Sequence, residues 1–124
     1  MAYDPLEQRY HLQQVADATG IAYYRLTAWV RRGQIDFWPN HIGGWRKFSE
    51  SNVFQTSLVG ALVNFGWNVD SAFKMVSDYL AESDYPPLWK IERFGGVLVL
   101  PVAEFRNRVS NALWALDKEV RHAA

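Results

Sequence analysis

The chain has 124 residues, of which 49 % are hydrophobic, enough for one cored domain or a small domain with an appended dimerisation element. Its 13 Lys and Arg balance its 13 Asp and Glu, which excludes a generic polyanion binder, and the 21 % charged content is too low for a disordered tail. Without cysteine there is no disulfide framework, thiol sensor or Cys-based zinc site. With no long apolar run and no signal-peptide core in "MAYDPLEQRY", a cytoplasmic location is expected and a membrane partner is not.

The charges are segregated. From Tyr23 to Lys47 the cations are Arg25, Arg31, Arg32, Arg46 and Lys47, against the single acid Asp36, a local charge of +4. Compensating acids lie downstream, among them Asp70, Asp78, Glu82 and Asp84. A basic face on a neutral body suits a selective anion binder better than a basic tail does.

In chain order, residues 1–9 read as a loose arm. Leu12, Val15 and Ala16 follow helical spacing, and Gly20 stops that run. Ile21 opens a second unit in which Leu26, Trp29 and Val30 fall at i, i+3 and i+4. It ends at Gly33 after Arg31 and Arg32, cations suited to a helix C-terminus. A short helix, a tight turn and a second helix make the outline of a helix-turn-helix.

"QIDFWPNHIGGWRKF" then changes period. Ile35 and Phe37 alternate with polar neighbours, Pro39-Asn40 and Gly43-Gly44 signal turns, and Trp45 to Phe48 alternate again, so the stretch predicts a small hairpin, the wing of a winged helix. The Gly43-Gly44 pair is no phosphate-binding loop, because no Lys-Ser/Thr pair and no helix follow it directly. Ser49 is a suitable N-cap for a third helix, with Phe48 and Val53 spaced as a hydrophobic staple. Phe54, Leu58, Ala61, Leu62 and Phe65 line one face of it, and Gly66 closes it. Asn68 caps a fourth helix carrying Val69, Ala72, Phe73, Val76 and Leu80.

"ESDYPP" is a clear break, which places a domain boundary there: residues 10–82 are expected to form the winged unit and 83–124 a dimerisation element. "LWKIERFGGVLVLP" reads as a hairpin turning at Gly95-Gly96, and Pro101 fits the first turn of a last helix. In that helix Val102, Phe105, Val109, Ala112 and Leu116 step by threes and fours, a seam of about two heptads. Together with Trp89, Ile91, Val97 and Val99 of the hairpin, the residues Val102, Phe105, Val109, Leu113 and Leu116 are the expected homodimer interface. Trp114 falls off the seam and needs another contact. The fold class expected is mainly α with small β-hairpins: a winged helix-turn-helix followed by a C-terminal hairpin and helix.

The ordered set "HLQQVADATGI", "RLTAWVRRGQI", Pro39, "GGWRKFSESNV" and "LVNFGWNVDSAFKMV" resembles the MerR-type DNA-binding domain over about the first two-thirds of the chain. That family has a Gly-Tyr-Arg-x-Tyr wing, matched in kind by Gly44-Trp45-Arg46-Lys47-Phe48, and a glycine joint between its third and fourth helices, matched by Gly66. Its second helix usually carries Thr-Leu-Arg-Tyr-Tyr-Glu, where this chain has Arg25-Leu26-Thr27-Ala28-Trp29-Val30. Thr27 and Ala28 therefore replace an arginine and a tyrosine, and the family's contacts do not transfer there unchanged. The long dimerisation helix of typical members is also replaced, by a hairpin and one helix.

The resemblance implies a nucleoid-associated transcriptional regulator that binds double-stranded DNA as a homodimer at a palindromic site, with RNA polymerase or another regulator as a further partner. Expected DNA-contacting residues are Tyr23, Tyr24, Arg25, Thr27, Ala28 and Arg31 on the second helix, and Arg46 and Lys47 on the wing. Arg25 suits a bidentate bond to guanine, the tyrosines suit phosphates or thymine methyls, and Arg46 suits a phosphate. Neither cofactor nor metal is expected, since His11, His41 and His122 lack ligand spacing, and no nucleophile-base pairing points to catalysis. Two alternatives stand beside this reading: an excisionase-like architectural DNA binder of a mobile element, and a protein-interaction module that has lost DNA binding.

Overall fold

The computed structural model describes residues 6–37, 47–93 and 95–123, with side chains as far as Asp117. It is mainly helical with one small antiparallel hairpin. In chain order the elements are α1 (Leu12–Thr19), α2 (Tyr23–Arg31), α3 (Glu50–Asn64), α4 (Val69–Ala81), β1 (Leu88–Arg93), β2 (Gly96–Pro101) and α5 (Val102–Ala123).

Local chemistry sets most of the helix ends. Gly20 takes φ 75°, where a Cβ would be strained, and its N–H donates to the Ala16 carbonyl to close α1. Thr19 stiffens the turn that follows: its hydroxyl donates to the Val15 carbonyl at 2.7 Å and accepts the Ile21 N–H at 3.2 Å. Ser49 caps α3 reciprocally, with its Oγ accepting from the Asn52 N–H at 3.0 Å and the Asn52 side chain accepting from the Ser49 N–H at 2.9 Å. Asn68 caps α4 through its side-chain oxygen, which accepts the Asp70 N–H at 2.9 Å.

α3 is the centre of the fold. Val53, Phe54, Leu58, Val59 and Leu62 are buried on it, and so are Thr56, Ser57 and Gly60 from the faces between. The two buried hydroxyls stay satisfied by donating back to the helix, Thr56 to the Asn52 carbonyl and Ser57 to the Phe54 carbonyl. α1, α4 and α5 all pack on this helix. Phe65, expected on its core face, is instead 60 % exposed at the C-cap, where the helix has already ended.

The last third of the chain completes the same core. Ile91, Leu100, Val102, Val109 and Leu113 are buried in one cluster with Tyr10, Val15, Leu26 and the α3 residues, because α5 lies across both α1 and α3. The hairpin and the first three turns of α5 thus share one hydrophobic core with the preceding helices. Pro101, expected in the first turn of the last helix, is the final residue of β2, paired with Leu88, and α5 starts at Val102. Trp89 stacks on Tyr79 of α4, with ring centroids 4.4 Å apart, fixing the hairpin to the helical body. The Tyr79 hydroxyl donates to the Pro86 carbonyl, and burial pushes its phenol above its ordinary pKa.

The start of the described chain is tied down. The backbones of Tyr10 and Phe48 form a bridge, with the Phe48 N–H donating to the Tyr10 carbonyl at 2.7 Å. Arg9 and Tyr10 both reach Asp117 of α5, at 3.5 Å and 3.3 Å. Most of the expected wing, residues 38–46 with Pro39, Gly43, Gly44, Trp45 and Arg46, lies outside the described residues. Its flanks are described: Phe37 and Phe48 meet edge to face, with centroids 5.8 Å apart.

One contact sets the spacing between the α1–α2 turn and α3. A Cβ added at Gly60 would stand 2.6 Å from Ile21 Cδ1, so the isoleucine of the turn packs directly onto α3 backbone. Gly60→Val is expected to destabilise the fold by about 1–3 kcal/mol through overpacking, and adding Ile21→Ala to it should cost less than the two changes summed. Urea unfolding of the two single variants and the double variant measures this.

Candidate nucleic-acid interface

α2 separates its residues cleanly by face. Leu26 and Trp29 are buried, and Trp29 makes an edge-to-face contact with Phe73 of α4 at 6.0 Å. Facing away, Tyr23 is 49 % and Tyr24 74 % exposed, and Arg31 and Arg32 are exposed at the C-terminal end. Tyr24, Ala28 and Arg31 fall at i, i+4 and i+7, a single stripe along the helix. The first turn of α2 carries no acid, so no carboxylate there offsets its positive dipole end.

Thr27 and Ala28 are half-buried. The Thr27 hydroxyl donates back to the Tyr23 carbonyl at 2.9 Å, so its proton serves the helix and its oxygen is left as an acceptor. Ala28 offers a methyl group. Thr27 and Ala28 therefore offer no free side-chain donor, and the outer polar chemistry of α2 is concentrated at its two ends.

Arg25 is half-buried and does not share the outer stripe. Its side chain lines a cleft of about 440 Å³ with Thr19, Ser57, Gly60, Asn64 and Arg108, so the fold brings a guanidinium of α5 to the same cleft. Arg108 itself pairs with Glu104 at 3.6 Å across an exposed helix turn, an arrangement worth well under 1 kcal/mol. Sequence reading does not find Arg108 as a neighbour of Arg25. Nothing in the α5 periodicity says which helix lies opposite.

Lys47 is exposed beside Phe48, at the point where the chain returns from residues 38–46. Arg46 lies outside the described residues. Among the described residues no three His, Cys, Asp or Glu side chains gather as a metal site, and no helix is long and apolar enough to cross a membrane.

The residues expected at a dimer interface separate into two groups. Val102, Val109, Leu113 and Ile91 are buried inside the chain, and Trp89, Phe105 and Leu116 are half-buried against the same core. Val97 and Val99 are 60 % and 45 % exposed on β2. Trp114, off the seam, is 65 % exposed and lines a separate cleft with Tyr10, Glu50 and Asp117. No protein-family model matches the chain, and no curated protein shows significant similarity to it.

The two faces of α2 should respond differently to truncation. Tyr24→Ala is expected to change unfolding stability by less than about 0.5 kcal/mol, whereas Leu26→Ala should cost about 2–5 kcal/mol. Paired urea melts check the assignment, and a large loss from Tyr24→Ala would move that residue into the packing.

Proposed function

We propose that this chain is a sequence-specific DNA-binding transcriptional regulator of the MerR type, built on a winged helix-turn-helix and acting as a homodimer on a palindromic site. The observation that carries the reading is the outer face of α2. It combines two exposed tyrosines, two exposed arginines and an acid-free first turn on a helix that a tight turn and buried Leu26 and Trp29 hold against the body. The Phe37–Phe48 contact supports a wing, because the chain leaves and rejoins the body at one place, with Lys47 beside it.

On this reading α2 enters the major groove by its N-terminal half, as recognition helices do. Tyr23 and Tyr24 then meet phosphates or thymine methyls, and Arg25 reaches a base edge from the rim of its cleft. Arg31, together with Arg46 and Lys47, supplies phosphate contacts that set orientation and salt dependence. With only a methyl and an acceptor oxygen at Ala28 and Thr27, direct readout is sparse, so part of the specificity falls to the deformability of the site. No catalytic role and no metal or cofactor enters this proposal.

The same sparse centre of α2 favours a second reading, a protein-interaction module that uses the exposed tyrosines. Selection from a pool of random DNA duplexes separates the two. The regulator reading expects enrichment of a palindrome, and Arg31→Ala and Arg46→Ala each reduce the slope of log affinity against log salt by about 1. Failure to enrich any sequence, with affinity unchanged in Arg25→Ala and Arg46→Ala, would leave the interaction module standing.

A further inference from the structure

The hairpin has an inner and an outer face, and the register assigns each residue to one of them. Trp89 pairs with Leu100 and Ile91 with Leu98, and these point inward against α4 and α5. Leu88, Lys90 and Glu92 of β1 alternate to the outer side, with Val99 opposite Lys90 and Val97 opposite Glu92. All five are exposed, and Leu88, Val97 and Val99 stand 51 %, 60 % and 45 % open. Three large aliphatic side chains together on one small face are unusual for a surface without a partner. Phe65, 60 % exposed, lines a cleft with Val97 and extends the apolar area toward the α3–α4 joint.

The charges on this face identify its occupant. Lys90 and Glu92 sit two residues apart on one strand, and neither has an ion pair or side-chain hydrogen bond among the described residues. A face with one positive and one negative charge in that order is complementary to itself. A two-fold axis lying in the face and crossing the strands sets Lys90 of one copy over Glu92 of the other. It also sets Val97 over Val99, so the aliphatic groups cover each other as the charges pair. A strongly basic or strongly acidic partner would satisfy only one of the two charges.

We infer that the outer face of the β1–β2 hairpin is the self-association surface of the protein, with two hairpins packed face to face about a two-fold axis. This rests on the homodimer in the proposed function and relocates its interface. The α5 seam serves the core of each protomer, and the hairpin joins the protomers. The face is about 20 Å long and one hairpin wide, well short of the roughly 800 Å² per partner of a tight interface, so association is expected in the micromolar range.

Sedimentation equilibrium without DNA tests it, using charge variants at two exposed positions. Wild type should associate below about 200 µM, and Lys90→Glu and Glu92→Lys should each weaken association at least about tenfold by setting like charges together. An equimolar mixture of the two variants should associate as heterodimers, and the double variant Lys90→Glu/Glu92→Lys should return to wild-type behaviour. Neither rescue follows from a merely misfolded single variant. A monomeric wild type over this range, or single variants that associate like wild type, overturns the proposal. Because DNA is absent, either result stands apart from the duplex selection: a chain that enriches a palindrome while the charge variants still dimerise refutes this interface and leaves the DNA reading intact.

Discussion

Burial of α3 on nearly all sides is the constraint from which the rest of the architecture follows. A fifteen-residue helix with Val53, Phe54, Leu58, Val59 and Leu62 buried cannot lie on a surface, and its buried Thr56 and Ser57 are tolerable because each donates its proton back to the helix. α1, α4 and α5 pack on it directly. α2 is held through the turn at its start, where Ile21 rests on the bare backbone of Gly60. The contact between Ile21 and Gly60 thus helps to place the candidate DNA-reading helix, alongside its packing on α1 and the Trp29–Phe73 contact with α4.

α5 has two tasks in this arrangement. Its apolar stripe fills the gap that α1 and α3 leave, and its polar positions fasten the segment before α1 and the α3 start, through Asp117 to Arg9 and Tyr10 and through the Ser110 hydroxyl to Glu50 at 2.7 Å. The half-exposed Arg9–Asp117 pair adds little energy by itself. Its position matters more, because Tyr10 is buried beside it and bridges to Phe48, on the far flank of residues 38–46. A helix that looks like an appendage in the sequence is therefore part of what holds the base of the proposed wing.

Much of the local structure was legible in advance, and the candidate site only in part. Caps and stops at Gly20, Ser49, Gly66 and Asn68 depend on groups within a few residues, and they stand where the sequence places them. The faces of α2 were also legible, because period alone separates Leu26 and Trp29 from Tyr24 and Arg31. The place of Arg25 was not, since a cleft shared with Arg108 requires α5 to be laid across α3 first. Phe65 shows the limit of periodicity: it continues the apolar stripe of α3 by count, yet the helix stops before it and the ring turns to solvent.

Residue type and spacing were enough for the mainly helical composition, the helix caps, the C-terminal hairpin and the positive charge gathered between Tyr23 and Lys47, although Gly96, read as a turn residue, already pairs with Arg93 in β2. These are short-range properties, written in residue type and spacing. Tertiary structure alone decided what the apolar stripes face. The stripe through Val102, Val109 and Leu113 has the same spacing whether it meets a second chain or the chain's own α1 and α3, and packing chose the latter. Periodicity names a face and leaves its partner open, because hydrophobic burial is non-directional and any complementary surface satisfies it.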